Sequence, residues 1–138
     1  LGEVTSVEMS DDGRQLLTAS KDNSHRLWDM RMLRPLQRFK GHQNTSKNFI
    51  RCTFAHPSLI VSGSEDGLVY MWGQESSLAL QTLKGHGTDS HPAAAMVGGR
   101  KQVVVYSAAW NKVQGLLASC ADDGTVRLWD WTPPHDAP

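Results

Sequence analysis

Apolar and polar positions alternate along most of this chain in short runs, each closed by a cluster of Gly, Asp, Ser, Asn or Pro. A period of two over four to eight residues predicts a strand with one buried face, and the clusters predict tight turns. Strands are expected over 4–9, 15–20, 25–29 and 36–39, with the turn Ser10-Asp11-Asp12-Gly13 after the first. The pattern returns over 49–54, 59–64, 69–73 and 78–83, and again over 103–110, 116–120 and 125–131. No apolar pattern of helical period persists, so the predicted class is all-β.

The strands fall into three copies of one unit. Leu16-Leu17-Thr18-Ala19-Ser20-Lys21-Asp22 leads to Leu27-Trp28-Asp29, and Ile60-Val61-Ser62-Gly63-Ser64-Glu65-Asp66 leads to Met71-Trp72-Gly73. Leu117-Ala118-Ser119-Cys120-Ala121-Asp122-Asp123 leads to Leu128-Trp129-Asp130. In each copy an Asp stands six residues before the Trp, and a repeat of this length fixes the architecture. Gly41-His42 and Gly85-His86 lie 44 residues apart, as do Trp28 and Trp72. Trp129 follows Trp72 by 57, and the 13 extra residues fall in 88–102, read as an extended loop. The expected units are therefore 1–42, 43–86 and 87–131, with the insertion 88–102 in the third and a tail over 132–138. No fourth strand is expected in the third unit.

Four antiparallel strands with Gly-His before the first and Trp-Asp ending the third resemble the WD-repeat family of β-propellers. The resemblance implies a partial propeller of three blades, the last lacking its outer strand. It also implies a buried relay in each blade of histidine, strand hydroxyl, turn Asp and Trp. Carried over, the relay is Thr18, Asp22 and Trp28 in the first unit, and His42, Ser62, Asp66 and Trp72 in the second. In the third it is His86, Ser119, Asp123 and Trp129. The missing first histidine would stand just before Leu1, so the chain is expected to be the last three blades of a longer, seven-bladed protein.

The relay residue types suit mutual satisfaction out of water: indole N–H donates, hydroxyl donates and accepts, imidazole bridges, carboxylate accepts. Ser62, His42 and Asp66 could also be read as a hydrolase triad. The set recurs with every repeat, and no nucleophile elbow accompanies it, so the expected role is structural and no enzyme activity is predicted.

Net charge is zero, which argues against a broad electrostatic footprint for nucleic acid. Neither a membrane-spanning stretch nor a signal-peptide pattern is present, so an intracellular protein is expected and the sequon Asn44-Thr45-Ser46 should be idle. Cys52 and Cys120 sit in apolar strand patterns and are expected to be buried thiols. The six histidines lack metal-ligand spacing, and no cofactor is predicted. His25 is one of four that the repeat leaves isolated. The partners expected are other proteins, together with the upstream blades of the same chain.

Four positions stand out as partner contacts. Trp28-Asp29-Met30-Arg31 fits the short signature of propellers that dock on the adaptor of a cullin-type ubiquitin ligase, although His25 stands where that pattern has an aliphatic residue. A non-enzymatic scaffold is the first expectation; a ligase substrate receptor acting through Arg31 is the alternative. Gly41-His42-Gln43-Asn44 and the run from Ser62 to Trp72 are similar to the penultimate blade of the WD-repeat scaffold of histone-methyltransferase complexes, while the runs from Lys47 to Cys52 and from Asp22 to Arg31 resemble a spliceosomal WD-repeat subunit as closely. Arg51 takes the place of the aromatic with which that scaffold clamps a guest arginine. Met96 and Val97 form the one apolar pair in the inserted loop.

Overall fold

A computed structural model describes residues 2–56, 58–87 and 103–130, and among these there are eleven strands and no helix. They form three antiparallel sheets, each a simple meander. The first sheet runs β1 (Val4–Met9), β2 (Gln15–Ser20), β3 (Ser24–Asp29) and β4 (Arg34–Phe39). The second runs β5 (Cys52–Phe54), β6 (Leu59–Ser62), β7 (Val69–Gly73) and β8 (Gln81–Leu83). The third has three strands, β9 (Val105–Asn111), β10 (Leu116–Ala121) and β11 (Val126–Asp130). Among the described residues the observed architecture is an all-β partial propeller whose third blade has three strands.

β5 starts three residues later than the alternation predicts, because the backbone before it bonds to the neighbouring blades. Arg51 N donates to Tyr106 O on β9, and Thr5 on β1 donates through Oγ1 to Ile50 O. Further contacts tie β1 to β5: Ser6 approaches Cys52, and Glu8 accepts from Thr53 Oγ1 and Phe54 N. The first strand of each blade thus meets the first strand of the next, and the sheets fan out from a shared inner edge. The loop 88–102, with Met96 and Val97, and the tail 132–138 lie outside the described residues.

Two cores fill the spaces between blades. Leu17, Ala19, Leu27 and Phe39 of the first sheet pack on Cys52, Ile60, Tyr70 and Trp72 of the second. Leu59, Val61, Val69 and Met71, on the other face of the second sheet, pack on Val105, Ala108 and Leu117 of the third. β6 is buried on both faces for this reason, while β1 and β11 each bury one face only. Opposite Leu117 and Trp129, Val126 and Leu128 stand about 70% exposed. Cys52 is buried, and burial pushes its thiol up to about 12. Cys120 corrects the expectation of two buried thiols: it pairs with Val126 on the open face of the third sheet and is exposed.

Candidate functional site

In the second and third blades the repeat tryptophan lies on the face turned towards the preceding blade, and Trp28 lies on the face of the first sheet opposite Leu17 and Leu27. The third blade brings all four expected relay residues together. Trp129 on β11 donates Nε1–H to Ser119 Oγ on β10 at 2.8 Å, and Ser119 Oγ lies 2.8 Å from His86 Nε2. His86 Nδ1 is 3.1 Å from Asp123 in the β10–β11 turn. A hydroxyl that receives the indole N–H and donates to Nε2 leaves Nδ1–H for the carboxylate, so one orientation of protons satisfies every member. Burial raises the Asp123 pKa, but the hydroxyl and amide of Thr125, the amide of Gly87 and His86 outweigh it and hold it at about 2. Gly85 is needed beside this set: a Cβ there would stand 2.7 Å from the Trp129 ring.

The second blade departs from the expected arrangement. Ser62 bonds to His25 Nε2 at 2.8 Å, and not to His42. His25 sits on β3 of the first blade and crosses the interface, three residues before Trp28; the matching residue of the second blade, Val69, offers only a side chain of carbon. His42 lies flat on His25, with ring centroids 3.9 Å apart and planes 18° apart, and neither of its nitrogens has a hydrogen-bond partner. Trp72 donates to Lys40 O at 3.0 Å instead of to Ser62. Asp66, the expected acceptor for His42, is taken by Tyr70 Oη at 2.6 Å and by Leu68 N. The relay expected of His42, Ser62, Asp66 and Trp72 is therefore not assembled, because Tyr70 and His25 occupy its acceptor and its hydroxyl.

In the first blade, Trp28 donates to Thr18 Oγ1 at 3.0 Å. Asp22 accepts from Ser24 Oγ and from the Arg26 guanidinium at 2.6 and 2.8 Å. Burial raises its pKa, and these two donors overcome that and bring it to about 2. Arg26 does here what an imidazole does in the third blade: it gives the turn carboxylate a donor.

The sequence did hold a signal for His25. Leu17, Ala19 and Leu27 define the buried face of the first sheet, and His25 lies on that same face, so it had to find a partner across the interface. Nothing in the spacing marked Tyr70 as a competitor for Asp66. The sequon is closed structurally as well: Asn44 is buried and its amide donates to Ser20 O.

The partner-contact candidates lie apart. Arg31 is exposed in the β3–β4 turn, where Asp29 accepts from the amides of Arg31 and Met32. Arg51 lines an open groove of about 1230 Å³ along the inner strands of all three blades, with Glu8, Asp12, Phe54, Trp110 and Lys112. Lys112 pairs with Asp11 across the groove mouth, joining the third blade to the first. Among the described residues no group of three or more His, Cys, Asp and Glu could hold a metal ion. No helix among them is long and apolar enough to cross a membrane.

The family described as WD domain, G-beta repeat matches residues 1–29, 33–73 and 78–130. A WD repeat-containing protein WDS homolog of Arabidopsis thaliana is 34% identical over 96% of this chain. GID complex subunit 7 of Schizosaccharomyces pombe is 31% identical over 92% of it. A WD repeat domain-containing protein 83 homolog of Dictyostelium discoideum is 29% identical over 92% of it. The chain spans 23%, 22% and 34% of the lengths of these relatives, respectively.

Proposed function

Because this chain belongs to the WD domain, G-beta repeat family, we propose that it is a non-enzymatic scaffold whose blades present the inner groove to other proteins of a multiprotein assembly. The observation that carries the reading is the groove itself. It runs across all three blades and mixes carboxylates (Glu8, Asp12), cations (Arg51, Lys112) and an aromatic, Trp110, the composition that suits a protein segment. One relative, GID complex subunit 7, is by its description part of a complex. The hydroxyls of Ser62 and Ser119 are buried away from any substrate, and Ser119 also accepts from the Trp129 indole, which suits a structural role for both.

A second reading makes the chain a receptor that docks on a ligase adaptor through Arg31. The Asp29 cap favours it, since it orders the turn and presents the guanidinium outward. Affinity purification of the full-length protein separates the two. Arg51→Glu should deplete the co-purifying proteins while Arg31→Ala leaves them in place. Loss of partners with Arg31→Ala alone would favour the receptor, and indifference to Arg51→Glu would remove the groove as the contact surface.

A further inference from the structure

The second blade confronts two imidazoles with one hydroxyl. We propose that the stacked pair His25–His42 is a proton-sensitive latch between the first and second blades, closed while both rings are neutral and loosened when either takes a proton.

Ser62 Oγ has carbonyl acceptors in Gly63 at 2.8 Å and Arg51 at 3.2 Å, so it is free to accept from His25 Nε2–H. In that orientation His25 Nδ1 is a bare acceptor, buried and without a partner. A proton added there would create a buried N–H with nothing to receive it. It would also place a charge face to face with a second imidazole 3.9 Å away. His42 has the same difficulty at both of its nitrogens. Trp72 closes the site edge-on to both rings, at 5.6 and 5.3 Å.

The carboxylates facing the pair are committed elsewhere. Asp22, from the β2–β3 turn, holds Ser24 and Arg26; Asp66, after β6, holds Tyr70 and Leu68. Glu65 accepts from the amides of Thr45 and Ser46 and the Ser46 hydroxyl. Tyr70 on β7 and Cys52 on β5, the other titratable groups in this core, are pushed up by burial and stay neutral. Burial therefore prevails over the attraction of these carboxylates: it holds His25 well below the usual imidazole value of 6.5, and His42 at about 4. Between those values the unfolded chain binds more protons than the folded one. The latch is thus fully closed above pH 6.5 and weakens as the pH falls towards 4.

An NMR titration of the imidazoles in the full chain tests this without any substitution. Two histidines should remain neutral at pH 5; if every histidine titrates near 6.5, the latch is refuted. Amide exchange supplies the second arm. Protection of Ile60 to Ser62 should fall at least tenfold between pH 7 and 5, since each imidazole can contribute up to tenfold per pH unit. His25→Gln with His42→Phe keeps a donor for Ser62 and a flat ring in the stack, and should abolish that fall. An unchanged fall in the double variant would overturn the proposal.

Discussion

At the scale of single residues, the repeat tryptophans Trp28, Trp72 and Trp129 each donate to a different partner: Thr18 Oγ1, Lys40 O and Ser119 Oγ. Trp72 is fully buried among Phe39, Tyr70 and the two imidazoles, so Trp72→Ala should cost about 3–5 kcal/mol in denaturant unfolding. Ser119→Ala deprives both Trp129 and His86 of a partner and should cost about 1–3 kcal/mol. A loss below about 0.5 kcal/mol would mean that the third-blade cluster does not hold the blade. Asp22 and Asp123 have depressed folded values of about 2, so their contribution is present above about pH 4. It drains as the pH falls towards 2, by about 1–2 kcal/mol each, and Asp123→Asn should flatten the acid limb of the stability profile. The third-blade set was legible in the sequence because its members keep their spacing and nothing competes for them. The second-blade set was not, because the competitor, His25, arrives from another repeat, and only the packing reveals which side chains cross an interface.

At the scale of elements, alternation was enough to place nearly every strand, since each sheet buries at least one face and a slip of one residue would expose that face. Strand ends were less legible where backbone groups serve a neighbouring blade, as at Arg51. Burial ranks the strands: β6 and β7 are enclosed on both faces, while β1 and β11 have one open face each. Hydrogen exchange should follow that order, with the amides of β6 and β7 exchanging last; faster exchange there than in β1 would contradict the packing. The two faces of the third sheet give a sharper contrast. Leu117→Ala removes a side chain from the core between blades and should cost about 2–4 kcal/mol, whereas Leu128→Ala on the open face should fall within about 0.5 kcal/mol.

At the scale of the whole molecule, one packing rule operates twice: the tryptophan face of a blade meets the opposite face of the blade before it. The same rule leaves two faces uncovered among the described residues. Val7, Met9 and Trp28 lie on the tryptophan face of the first blade, with Val7 and Met9 more than half exposed. Val126, Leu128 and Cys120 lie on the opposite face of the third. These are the two kinds of face that meet at each interior interface. In stacks of repeats, stability is close to a sum over neighbour interfaces, and an uncovered face forfeits its share. Relatives several times longer than this chain have room for such neighbours. The most direct measurement is sedimentation velocity with thermal melting on residues 1–138 alone and on the same residues within the full-length protein. The account predicts that the isolated residues self-associate or melt broadly, and that in the longer chain they melt within one cooperative transition. A strictly monomeric 138-residue species with a sharp melt would contradict it.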